Sequence, residues 1–247
     1  MNQDLDNILK DWPHEPGEIQ VRKIIGNDGR EKIQLRIDLG VIQMEATGRP
    51  DGQRPNGCES LLTWHKEIAA EREQRSEKYE LTAEQCADMQ HEGIQYYHRY
   101  VSLFQLGDYQ GVIRDTQRNL DMINFMTEHA ENDEAVGNMD QFKPYILMMN
   151  TRARASLELD HNDYEAALRQ IERGRARIVE LYPDEDSASK SPELAFLDEW
   201  SQEVKDRKPL TKIEQLEREM ARAIATEAYE RAAELRDKIR AYQQKEG

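Results

Sequence analysis

Residues able to do chemistry are present in this chain, but they are not gathered. His91 and His98 stand seven apart on a stretch of helical pattern, with Asp88 and Glu92 nearby. Seven residues share a helix face, yet chelation from one helix needs an i+4 partner. His65 and Glu67 in WHKEIAAE lack the HExxH spacing. Cys58 and Cys86 belong to no CxxC pair, cannot build a zinc site by themselves, and read as two reduced thiols of a cytosolic protein. No nucleophile elbow, P-loop or dinucleotide fingerprint occurs. The GNDG at 26–29 is a turn and not a phosphate cradle, because no helix follows it. Arg49, Asp51 and His65 come nearest to a constellation, for an enzyme site between the N-terminal region and the first helices. They match no known arrangement. The sequence therefore implies no metal, no cofactor and no catalytic residue, and the expectation is a protein that is not an enzyme.

Composition narrows the partners. The net charge of -15 opposes sequence-independent nucleic-acid binding, which needs cations to displace the counterions around phosphates. That charge is uneven. Residues 210–245 hold eight Lys/Arg and seven Asp/Glu, hence +1, leaving -16 on the remainder. Direct DNA binding through those interleaved cations is expected to be weak. No apolar run reaches the ~18 residues a membrane span requires. The acidic start, MNQDLDNILKDW, lacks the basic and apolar regions of a signal peptide. The expected location is the cytoplasm.

The elements follow from periodicity. In EKIQLRIDLG, Ile33, Leu35, Ile37 and Leu39 alternate with Lys32, Gln34, Arg36 and Asp38, the mark of a half-buried strand. EIQVRKII supplies a partner strand through Ile19, Val21 and Ile25, interrupted at Lys23, and Asp28-Gly29 favours a tight turn between them. VIQMEAT adds a third strand, so a small antiparallel meander is predicted, needing cover because three strands alone are marginal. Arg22, Lys32 and Arg36 lie on its polar side, where they could meet an acidic ligand or simply face solvent.

From Ser60 the pattern is helical, with Ser60 as an N-cap and Thr82 with Gln85 as a capping box. Met122, Met126, Met139, Met148 and Met149 fall at helical spacing, and are read as core before adaptable surface. FQLGDYQGVIRDTQ and LELDHNDYEAALRQIE rhyme: Gly107, Asp108, Tyr109 and Val112 match Asn162, Asp163, Tyr164 and Ala167. Each is a helix end, a polar turn and a tyrosine opening a new helix. This resembles the tetratricopeptide repeat, although Tyr109 and Tyr164 are 55 residues apart in place of about 34. Helical hairpins of repeat type are expected here, not a regular array.

The tail, KPLTKIEQLEREMARAIATEAYERAAELRDKIRAYQQK, reads as two helices. Ile213, Leu216, Met220, Ala223 and Ile224 mark the first; Tyr229, Ala232, Ala233, Arg236, Ile239 and Tyr242, with Leu235 beside them, mark the second. In Ile213, Leu216, Glu219-Met220, Ala223, Tyr229, Ala232-Ala233, Leu235-Arg236-Asp237 and Ile239, this stretch resembles the UVR motif of the excision-nuclease subunits UvrB and UvrC. The register from Met220 to Asp237 needs no gap. Ala228 departs from it, since the family more often has an acid before its aromatic.

The resemblance implies an interaction hairpin that pairs with another such hairpin, in a second protein or by self-association. Ile213, Leu216, Met220, Ile224, Tyr229, Ala232, Leu235 and Ile239 are then the candidate partner-binding residues, with Arg236 and Asp237 shaping the rim. The expected fold is α+β, mostly α: a meander region at 1–59, a helical-hairpin body at 60–183, a linker and short helix at 184–209, and the UVR-like hairpin at 210–247. The expected function is a protein–protein interaction adaptor linked to nucleotide excision repair. A regulator of a stress-response kinase or Clp system is the alternative, although such activators carry cysteine-based zinc modules that two separated cysteines do not supply.

Overall fold

The computed structural model describes residues 5–210 and 212–246. The side chains of Glu214 and Lys245, both counted in the tail's charge, lie outside what is described. The chain divides into two compact units, Met1–Ser201 and Gln202–Gly247. Among the described residues no helix is long and apolar enough to cross a membrane.

After a single helical turn, α1 (Asp6–Leu9), the first unit forms the expected meander: β1 (Val21–Ile25), β2 (Glu31–Ile37) and β3 (Gly40–Glu45). The order is β1-β2-β3, both pairs antiparallel, so β2 is central. Gly26 N–H bonds to Arg30 O across the first turn, and Gly29 takes the positive φ that its lack of a Cβ permits.

The burial of β2 departs from the alternation. Lys32 through Arg36 are buried without interruption, whereas Ile37 is partly exposed and Leu39 is 92% exposed. The strand ends at Ile37, and Asp38-Leu39 form the turn into β3, where the pleat no longer decides direction. The polar face is satisfied from within. Arg22 Nε bonds to Gln34, Gln34 to Gln43, and Lys32 to Asp28 and Glu45. Arg36 donates to the carbonyls of Trp12, Ile37 and Gly40, and Arg22 lies 4.1 Å above the Trp12 ring. These three cations are occupied by the protein itself. On the other face Ile33 and Met44 are buried as cross-strand partners, and Lys23 reaches Glu31 and Asp108.

The helices start where capping groups put them. Ser60 accepts from Thr63 N–H at the head of α2 (Leu61–Gln74), and the Thr82–Gln85 capping box opens α3 (Ala83–Gln105). Then come α4 (Tyr109–His129), the turn α5 (Asp133–Val136), α6 (Lys143–Asp160) and α7 (Tyr164–Val179). The body is a succession in which α3 packs on α4, α4 on α6 and α6 on α7. Met122, Met126, Met148 and Met149 are core. The acidic segment after α7 holds a further turn, α8 (Glu185–Ala188), capped by Asp184, before α9 (Pro192–Arg207). Arg152 stacks on Phe104 of α3 and Phe196 of α9, at 4.3 and 4.8 Å, tying the start of α9 to the body.

The rhyming segments build the same turn. Gly107 and Asn162 both adopt positive φ, at 73° and 60°. Gly107 and Asp108 donate to Phe104 O and Leu103 O; Asn162 and Asp163 donate to Leu159 O and Glu158 O. Asp108 and Asp163 then cap the next helix, accepting from Gly111 and Ala166 N–H. A left-handed residue closes one helix and a carboxylate opens the next, twice.

Candidate docking surface

In the second unit α10 (Lys212–Ala225) runs into α11 (Tyr229–Glu246). The turn repeats the backbone pattern of the other two. Glu227 sits at φ 57° where Gly107 and Asn162 stand, with Glu227 N–H on Ile224 O and Ala228 N–H on Ala223 O. Only the cap differs: Ala228 holds the position of Asp108 and Asp163 and has no side-chain acceptor.

The two helices close on each other along a heptad-spaced seam. Leu216, Ala223, Ala232, Leu235 and Ile239 form its buried centre, flanked by the half-buried Ile213 and Met220. Steps of three and four on both helices keep the seam continuous, and the small Ala223 and Ala232 allow the closest approach next to the turn.

Of the ten candidate residues, Leu216, Ala232, Leu235 and Ile239 are therefore interior to the hairpin, and Ile213 and Met220 lie at its edge. Ile224 (50% exposed), Tyr229 (66%), Arg236 and Asp237 face outward. In α11 the seam follows Ala232, Leu235 and Ile239, so Tyr229, Ala233 and Arg236 lie one residue off it, on an exposed line. Tyr242, three residues beyond Ile239, lies on the seam line at its open end and is 40% exposed.

The charges stay local. Arg231 lies 3.9 Å from Glu219 and 3.7 Å from Glu234, and Arg236 lies 2.9 Å from Asp237. Such exposed pairs add little stability but leave an alternating rim able to select a partner's orientation.

The residues considered for catalysis are distributed among separate structural contacts. His65 is buried, bonded through Nδ1 to the Tyr79 hydroxyl, with its ring tilted against that of Trp64 at 4.6 Å. Arg49 pairs with Asp51 at 3.1 Å and Glu92 at 3.4 Å. His91 is exposed and His98 half-buried, while Glu92 is taken up by Arg118 and the Leu61 N–H. No group of three or more His, Cys, Asp or Glu placed to hold a metal occurs among the described residues. Cys58 donates to Glu67, whose carboxylate pushes the thiol pKa up, and Cys86 is fully buried; both are free thiols.

What the sequence reading missed is the ionic core of the body. Glu92 and Arg99 on α3, with Asp115 on α4, are fully buried. Only part of the signal was available: Glu92 and Arg99 are seven apart on the same face as Tyr96 and Tyr100, a face too apolar for charges without partners, whereas their partners on α4 are not in that pattern.

Residues 211–245 match the family described as the UvrB/uvrC motif, the span of α10 and α11. No curated protein and no solved structure matches the chain. Motifs of this family mediate protein–protein interaction, which supports a protein partner for the hairpin in general terms.

Proposed function

We propose that the chain is a non-enzymatic cytoplasmic adaptor whose α10–α11 hairpin docks a protein presenting a matching two-helix hairpin, in a UvrB/UvrC-type system serving nucleotide excision repair. A second copy of this chain is the other occupant of the same surface. The observation that carries the reading is the division of apolar side chains within the hairpin. Once the seam has closed, Ile224, Tyr229 and Tyr242 remain substantially exposed on helices of 14 and 18 residues. Isolated helices of about that length are marginal in water, so a hairpin with so thin a seam gains stability from a further apolar surface.

The test uses the full chain and alters only outward residues. Affinity capture from the native cell with Ile224→Asp/Tyr229→Asp should lose the hairpin partner, while circular dichroism keeps its helical signal. Self-association is read from the mass in solution of the same two proteins. Capture and mass both unchanged by the double substitution would sink the proposal.

A further inference from the structure

The helical body contains a cavity of about 550 Å³ between α3, α4 and the start of α6. Ligand pockets fall at roughly 300–1,000 Å³, and this one lies within that range. Its floor is closed at Gly93, where a Cβ would come within 2.7 Å of Met122 Cε. Four aromatic residues line it: Tyr97, Tyr100, Phe142 and Tyr145. The Tyr97 and Tyr100 rings meet edge-on at 5.5 Å, and Tyr145 lies 6.3 Å from Tyr97. At the mouth, Ile94 and Phe142 are each about half exposed, 53% and 49%.

The chemistry of the walls selects the occupant. Among the described residues none of the lining side chains is Asp, Glu, Lys or Arg, in a chain of which 34% is charged. A charged ligand would lose its hydration there without gaining a counter-charge. The lining amides are already engaged, Gln90 with Val136 O and Asn119 with Gly93 O. The His98 imidazole packs beside Tyr97 but accepts and donates no hydrogen bond among the described residues. Burial lowers its pKa and so favours the neutral ring, with one donor and one acceptor nitrogen. Beside His98 the walls offer the hydroxyls of Tyr97, Tyr100 and Tyr145, too few to pair the successive N–H and C=O groups of an extended peptide.

We propose that this cavity is a binding site for an uncharged aromatic small molecule bearing a hydrogen-bonding group, held among Tyr97, Tyr100, Phe142 and Tyr145 with His98 as its polar contact. This site belongs to the first unit and is independent of the hairpin's role.

The full chain is titrated with the neutral fluorophore N-phenyl-1-naphthylamine and, in parallel, with anionic 1-anilinonaphthalene-8-sulfonate. The neutral probe should saturate at one per chain, with the sulfonate weaker by ~10-fold or more because its charge must be desolvated. Ile94→Asp and Phe142→Asp, both at the half-exposed mouth, should each weaken the neutral probe by ~10-fold, placing a charge where none is compensated. Their melting curves serve as the folding check, and Ile25→Asp, at a 70% exposed position in the sheet, should bind as the parent does. Equal binding of the two probes, no saturable binding, or binding indifferent to both mouth substitutions in folded protein would overturn the proposal.

Discussion

Arg99 and Asp115 form a two-point ion pair in the centre of the body, Nε to Oδ2 at 2.6 Å and Nη2 to Oδ1 at 2.8 Å. Both residues are fully buried, and the remaining Arg99 nitrogen donates to the carbonyls of Glu45 and Gly48. The guanidinium thus joins α3, α4 and the exit of β3 in one bonded group. Its charge is tolerated because every face of it has an acceptor or the Tyr96 ring, 4.8 Å away.

Removing one partner should therefore cost far more than removing both. Asp115→Ala leaves the Arg99 charge buried without its carboxylate, and the expected loss is about 3–5 kcal/mol. Arg99→Met/Asp115→Leu, which removes both charges at similar volume, should lose distinctly less. Urea unfolding of the three proteins, followed by circular dichroism, reads the difference; a double variant as unstable as Asp115→Ala would contradict it.

The third helical turn is the weakest of the three and should be the easiest to improve. Glu227 holds a left-handed conformation that disfavours a Cβ, and Ala228 leaves the N-terminus of α11 without the carboxylate seen at Asp108 and Asp163. Ala228→Asp should stabilise the hairpin by about 1 kcal/mol through the missing cap. Glu227→Gly should contribute about 0.5–1 kcal/mol by relieving the left-handed strain. Slower amide exchange in α10 and α11 of the full-length variants is the expected readout, with exchange in α3 and α4 unchanged.

His65 sets a direction for the pH dependence. Its pKa is lowered by burial, against a smaller opposing pull from Asp88, so the folded chain holds this imidazole neutral below the unfolded value of about 6.5. The unfolded state then binds the extra proton first. The stabilisation is complete above about pH 6.5 and is lost as pH falls toward the folded pKa. The urea midpoint should decline from pH 7 to pH 5, and His65→Gln should make that decline shallower. An identical slope in the variant would remove His65 from the account.

How far the fold was legible follows from the kind of signal involved. Caps are local, and Ser60, Thr82 and Gln85 marked helix starts that the structure keeps. Strand alternation is local too, but what lies over each face is not. Lys32, Gln34 and Arg36 read as solvent-facing because nothing in their spacing reveals that Trp12 and the cross-strand carboxylates come back to cover them. In the hairpin, helical spacing identified apolar stripes, while the division between inner seam and outer face turned on a one-residue offset. Leu235 lies inside and Tyr229 outside, although both fit a stripe of helical period. Arg99 and Asp115 belong to a pairing between two helices, which no single-helix pattern contains.

Gly174 provides the sharpest steric test of the body. It lies on α7 against Thr151 of α6, and a Cβ built there would sit 1.9 Å from Thr151 Oγ1 and 2.4 Å from its Cγ2. Thr151 is buried, and its hydroxyl already bonds to Leu147 O within its own helix, so turning the side chain away would break that bond and the strain falls on the spacing of the helices. The helices must therefore separate, and overpacking of this kind costs about 1–3 kcal/mol. On an exposed helix the same Gly→Ala change would stabilise by up to about 1 kcal/mol, so the sign of the effect distinguishes the two situations. Gly174→Ala should lower the urea midpoint, and Thr151→Gly in the same chain should recover part of the loss by vacating the space. A stabilised Gly174→Ala would mean that α6 and α7 do not cross at this residue.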